Sequence, residues 1–238
     1  MKITITIGLM CVAFVTQAQQ LTGDALLEKA INYHDPNGQW ANFTGKLFID
    51  MEMPNKTTRH SVVSLTNKED FFRLEVTQGD THINRKCENG ECTFSLNGSN
   101  DITDEQSKKH GLTCERTVMY KNYYSYLYGL PMKLQDDGAI VHPEVSKVKA
   151  FGSEYLKLKV TYDPEVGSDT WYFYFNPESF ALEAYQFFHD EPKNDGEYII
   201  LKDLMEINGV KIPKVRTWYY NKNQELLGTD FLIKAEDL

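Results

Sequence analysis

The chain has 238 residues and a formal net charge of −9, from 25 Lys and Arg against 34 Asp and Glu. That length buries a core without help from metals or disulfides, and 41% hydrophobic with 25% charged residues are globular proportions. The acidic balance excludes a protein built around nucleic acid, whose phosphates require clustered positive charge.

Residues 1–18 read as an address. Lys2 precedes an apolar run from Ile7 to Val15, and small residues at Thr16 and Ala18 mark a secretory cleavage site after Ala18. The run is too short to span a bilayer, which takes about 20 residues. Met10 before Cys11 makes a poor lipidation site. The expectation is a periplasmic or secreted protein with residues 19–238 as one domain and no transmembrane segment after cleavage. Such a compartment permits disulfides.

Residues 22–33 carry apolar positions at helical spacing, ended by Asp35-Pro36-Asn37-Gly38. Strand patterns follow. Leu47, Ile49, Met51 and Met53 alternate with Phe48, Asp50 and Glu52. Residues 58–65 and 70–77 alternate likewise, the second with Phe72, Leu74 and Val76 on one side, and together these give an antiparallel meander.

In residues 84–96, Asn89-Gly90 is a preferred two-residue hairpin loop because both positions favour positive φ. That loop sets Cys87 opposite Cys92 at a non-hydrogen-bonded position, where Cα atoms are about 4.5 Å apart. The expectation is a Cys87–Cys92 disulfide, with Cys114 left as the odd thiol.

A helical insert comes next. Thr103-Asp104-Glu105-Gln106 is a capping box and Gly111 can end that turn. Thr113 can cap a second helix reaching Tyr128, rich in tyrosine, which either docks on the sheet or forms a lid over an apolar hollow. Strands resume near Val145 and continue through 156–162, 170–175, 180–188, 197–207, 210–220 and 225–233. Asn208-Gly209 marks another tight hairpin, and Pro213 implies an edge or a bulge. About ten consecutive antiparallel strands with few helices predict a mainly β fold, either one large curved sheet or a barrel.

No catalytic signature emerges. The histidines lack HxH or HExxH spacing, His82 with Cys87 and Cys92 lacks a fourth metal ligand, and no nucleophile elbow or phosphate loop occurs. No catalytic residue, metal or cofactor is therefore assigned. Asp136-Asp137 and Asp190-Glu191 read as solvated loop carboxylates. His34 reads as a cation at a helix C-terminus. The runs Trp171–Phe175 and Trp218-Tyr219-Tyr220 place large rings on both faces of the sheet, so one face meets the core while the other lines a cavity or meets a partner.

Three runs carry a resemblance: Tyr33-His34-Asp35-Pro36 through Trp40, Val160-Thr161-Tyr162-Asp163-Pro164 through Phe173, and Asn208-Gly209-Val210-Lys211-Ile212-Pro213 through Tyr219. The chain resembles a family of uncharacterised secreted proteins of Gram-negative bacteria related to the LolA/LolB lipoprotein-carrier fold. The resemblance implies an antiparallel half-barrel whose apolar concave side is closed by helices and receives acyl chains. On that reading Leu47, Ile49, Met51, Phe72, Leu74 and Val76 line the hollow from the sheet, with Tyr124 and Leu127 from the lid. The implied partner is a lipid or other hydrophobic small molecule, bound without catalysis. Docking of an envelope protein through aromatic strand faces is the rival reading, and a hydrolase built on scattered carboxylates or His34 a third.

Overall fold

A computed structural model describes residues 21–69 and 71–238; the expected signal segment, with Cys11, lies outside them. The chain opens with α1 (Gly23–His34), capped by the Thr22 hydroxyl, which accepts from the Ala25 N–H. Five strands follow: β1 (Thr44–Glu52), β2 (Arg59–Thr66), β3 (Phe71–Gln78), β4 (Thr81–Glu88) and β5 (Glu91–Leu96). The insert supplies α2 (Asp104–His110) and α3 (Cys114–Gly129). Seven more strands complete the chain: β6 (Ala139–Ala150), β7 (Ser153–Tyr162), β8 (Thr170–Phe175), β9 (Leu182–Phe188), β10 (Glu197–Ile207), β11 (Val210–Tyr220) and β12 (Leu226–Glu236).

The twelve strands of the described residues form one antiparallel sheet in the order β5-β4-β3-β2-β1-β12-β11-β10-β9-β8-β7-β6. Each strand pairs with its chain neighbour except at two places. β1 pairs with β12, joining the two halves, and β5 and β6 are the open edges. The segment between β5 and β6 must therefore travel from one edge to the other, and it does so as α2 and α3. This is why α3 lies across the concave side, packed on β2, β3, β4, β5 and β11. α1 packs on β6 and β11. The result is an open half-barrel with a helical cover.

Local chemistry explains the elements. β1 buries Gly45, Leu47 and Ile49 in strict alternation, and β3 buries Phe72 and Leu74. α2 has its capping box, with Thr103 and Gln106 exchanging backbone bonds, and Gly111 takes the left-handed C-cap at φ 58°. The main core holds Leu26, Leu47, Phe72, Tyr128, Phe173 and Ile212 between sheet and helices. A smaller cluster of Tyr155, Tyr174 and Ala184 lies apart from it, with Tyr172 and Ile200 packed alongside.

Three expectations are corrected or refined. Cys87 and Cys92 are direct ladder partners, but the disulfide joins Cys92 to Cys114, with Cα atoms 5.5 Å apart, and among the described residues Cys87 is the free, buried thiol. The hairpin register was local information, whereas the position of α3 over β5 was not. β6 begins at Ala139 rather than near Val145, because His142-Pro143-Glu144 interrupts the ladder with β7 and conceals the strand's first residues. Pro213 pairs with Leu204 of β10, while β12 first meets β11 at Val215, so on its other side the proline sits where β11 has no neighbour.

Candidate functional site

The lid is seated on a buried polar cluster. Arg216 of β11 is almost fully enclosed, with its guanidinium carbon 3.8 Å from the centroid of the Tyr128 ring. Its Nη1 donates to the Pro213 carbonyl at 2.7 Å, and its Nη2 reaches the Leu127 carbonyl of α3 at 3.5 Å. Directly across the ladder lies Asp230, which accepts from Trp218 Nε1–H at 2.9 Å. Burial raises the Asp230 pKa, while Arg59, Arg216 and the Trp218 hydrogen bond pull it down. Burial also raises the Tyr124, Tyr128 and Tyr185 phenols, which therefore stay neutral under α3. The underside of the lid is thus aromatic, with Arg216 against Tyr128 and Arg85 5.3 Å from the centroid of the Tyr120 ring.

Beside this seat, α3 and the sheet border a cleft of about 650 Å³. Tyr123, Tyr126 and Leu127 form its roof. Its floor comes from both halves of the sheet: Met51 and Met53 at the end of β1, Trp171 of β8, Phe187 of β9, Trp218 of β11 and Leu227 of β12. Trp171 and Phe187 are ladder partners with rings 4.8 Å apart, and Tyr126 meets Trp171 edge-on at 5.4 Å. A second, more polar cleft of about 470 Å³ shares Tyr126, Asp169 and Trp171, and adds Lys133, Asp136, Asp137 and Tyr162. The Tyr126 and Tyr162 hydroxyls are 2.5 Å apart there.

Charge is confined to part of the lining of the larger cleft. Lys56, Asp169, His189 and Glu197 lie among the apolar side chains. His189 Nδ1 sits 2.8 Å from Asp169 Oδ1, and this hydrogen bond raises the histidine pKa, favouring the cation. Burial raises Glu197, with His189 opposing. The side chains lining this cleft include no serine, threonine or cysteine to serve as a nucleophile beside the His189–Asp169 pair. Among the described residues no group of three or more His, Cys, Asp or Glu is arranged to hold a metal. The arrangement suits an apolar body with a polar end.

Of the residues assigned from sequence, Met51 and Leu127 line the cleft. Leu47, Ile49, Phe72, Leu74 and Tyr124 are in the packed core, and Val76 is partly buried against it. The sequence reading missed Trp171, Phe187, Trp218 and the roof tyrosines Tyr123 and Tyr126. Their aromatic runs were conspicuous, but the face each ring occupies depends on curvature. Asp136 and Asp137 are exposed carboxylates, as expected, and they border the second cleft. His34 is corrected as well. It is fully buried, with Nδ1 bonded to the Lys211 carbonyl at 2.7 Å and Nε2 accepting from the Leu182 N–H at 3.0 Å. Burial lowers its pKa to about 4, so it is a neutral tie between α1, β11 and β9 rather than a helix-end cation. Asp35 accepts from the Gln39 and Trp40 N–H groups and fixes the following turn.

Residues 2–235 match the model of DUF6503, a family of unknown function, and the chain belongs to that family. No curated protein matches it. Among solved structures the chain is similar to a LolA superfamily protein from Nitrosomonas europaea, with TM-score 0.51, 12% identity, and coverage of 91% of this chain and 94% of that one. It is similar to a putative outer membrane lipoprotein-sorting protein domain from Vibrio parahaemolyticus, with TM-score 0.50, 9% identity and coverage of 90% and 93%. A DUF1329 family protein from Desulfovibrio piger gives TM-score 0.52, 8% identity and coverage of 90% and 92%. At these identities the likeness is one of fold.

Proposed function

We propose that this member of the DUF6503 family is an exported, non-catalytic binding protein that takes an apolar ligand, of the acyl-chain type, into the cleft beneath α3. The observation that carries the reading is the 650 Å³ cleft itself, roofed by Tyr123, Tyr126 and Leu127 and floored by Met51, Trp171, Phe187 and Trp218. A cleft of a few hundred cubic ångströms, mostly apolar with a few polar groups at one side, is the usual form of a small-molecule site. Each methylene removed from water there contributes about 0.8 kcal/mol, so affinity needs no specific polar contact. Lys56, His189, Asp169 and Glu197 would meet the polar end of the ligand. Export, to the periplasm or outside the cell, rests on the leader-like residues 1–18. The lipoprotein-sorting description of the Vibrio relative supports the ligand class. No helix of the described residues is long and apolar enough to cross a membrane.

The test is lipid extraction of natively purified protein followed by mass spectrometry. A recurrent bound amphiphile, lost in a Leu127→Trp variant that fills the cleft, is the expected result. Repeated preparations with no bound lipid and no uptake of added fatty acid would remove the reading.

One observation favours the rival role of protein docking. Phe151 stacks on Tyr198 at 4.9 Å, and Tyr198 on Tyr219 at 5.0 Å, an aromatic ladder outside the lid-covered core. If that ladder is the working surface, Tyr198→Lys abolishes partner binding and leaves ligand uptake intact.

A further inference from the structure

Three cysteines converge where α3 meets the β4–β5 hairpin. Cys92 is bonded to Cys114, and the free Cys87 sulfur lies 3.5 Å from the Cys92 sulfur. Cys92 therefore has two sulfurs within reach. Its pairing with Cys87 is geometrically admissible too, since the two are direct ladder partners and such cross-strand Cα distances fall within the bridging range. Cys114 is the first residue of the 16-residue α3, behind the Thr113 cap, and the positive end of the helix stabilises a thiolate there. A stabilised thiolate is a good leaving group.

The Cys92–Cys114 bond spans 22 positions and closes a segment that is otherwise anchored at its end by the buried Leu112. α2 buries no residue, and Arg85 holds its end through bonds of 2.6 Å to the carbonyls of His110 and Gly111. Beside the disulfide a cleft of about 620 Å³ separates β5 from α2. The cleft gives α2 room to move once the bond is gone, while the first turns of α3 keep the buried Thr117 and the Arg85–Tyr120 contact.

We propose that Cys87, Cys92 and Cys114 form an intramolecular thiol–disulfide exchange site that tethers or frees the leading end of α3. The Cys87 thiolate attacks Cys92 Sγ. The Cys87–Cys92 bond forms as the Cys92–Cys114 bond breaks, and the electron pair leaves on Cys114, which takes up through solvent the proton that Cys87 gave up. Two electrons and one proton are redistributed within the chain, so no outside oxidant or reductant is required. The long tether is exchanged for a bridge within the hairpin, and the C-terminal half of α3 stays on Arg216.

Disulfide mapping tests this in the full-length chain. Protein held without reductant is acid-quenched, denatured, alkylated with N-ethylmaleimide and digested with trypsin. Cys87 and Cys92 fall in one peptide, 87–108, and Cys114 in another, 110–116. The expected result is a growing fraction of alkylated 110–116 with an internally bridged 87–108. Its rate should be independent of protein concentration and faster at pH 9 than at pH 7, because the thiolate is the attacking species. Cys87→Ser should lock the Cys92–Cys114 link, Cys114→Ser should yield the Cys87–Cys92 bridge, and amides of the first turns of α3 should exchange faster in the latter. The proposal is overturned if 110–116 stays linked in the unmodified protein from pH 7 to pH 9. A rate proportional to protein concentration, or two alkylatable thiols in oxidised Cys114→Ser, overturns it as well.

Discussion

His34 and Arg216 are polar groups held inside an apolar body, and each makes the fold sensitive in a way that can be measured. The unfolded histidine binds a proton as pH falls below 6.5, whereas native His34 does so only near pH 4. Native stability that is present above pH 6.5 is therefore lost progressively as pH falls towards 4, by up to about 3 kcal/mol over that window. Glu197 and Asp230, whose pKa values are raised in the fold, work in the opposite direction. The comparison that isolates His34 is urea unfolding of the parent chain and His34→Gln at pH 7 and pH 4.5, with the smaller loss on acidification expected in the variant. For Arg216→Met we expect a loss of about 1–3 kcal/mol, because the Pro213 and Leu127 carbonyls lose their donor and Asp230 keeps only Arg59 as a nearby cation. Adding Asp230→Asn should recover part of that loss, and strictly additive losses in urea unfolding would show that the two do not act as a pair. Neither role was legible in sequence. His34 closes α1 and reads equally well as a surface cation, and the contacts with Leu182 and Lys211, 148 and 177 residues away, reveal otherwise.

At the level of elements, what was legible was local. The Thr103 capping box, the Gly111 C-cap, the Asn89-Gly90 and Asn208-Gly209 turns and the β1 and β3 alternations each follow from a few neighbouring residues. What was lost depends on distant contacts: the Cys92–Cys114 bond requires knowing that α3 starts over β5, and the early part of β6 is masked by Pro143. The same distinction governs substitutions. A Cβ at Gly23 would collide with the His142 backbone carbonyl of β6, so α1 lies against the sheet with no room for a methyl group. Gly23→Ala should cost about 1–3 kcal/mol in thermal or urea unfolding, since backbone cannot swing aside as a side chain does. Gly167→Ala, where the nearest atom to a new Cβ is 3.8 Å away, should change stability by less than about 0.5 kcal/mol.

For the whole molecule, one topological fact generates the site. Because β1 pairs with β12 and the helical insert departs from β5 to return at β6, the insert must cross the hollow side of the sheet. α3 seats firmly where Arg216 and the tyrosines hold it and leaves an apolar gap towards β8 and β9. The sequence indicated the curved antiparallel wall and the tyrosine-rich cover. It did not indicate which wall residues remain uncovered: Leu47 to Leu74 are sealed under the helix, while Trp171 and Trp218 border the gap. Those two tryptophans also provide the readout. Titration with a fatty acid carrying an environment-sensitive fluorophore should give saturable, blue-shifted emission with quenching of tryptophan fluorescence. Both signals should be lost in Leu127→Trp and Met51→Trp chains that retain parental unfolding midpoints. Unsaturable partition of the probe, or equal uptake by chains whose cleft has been filled, would show that the space beneath α3 is not where an apolar ligand goes.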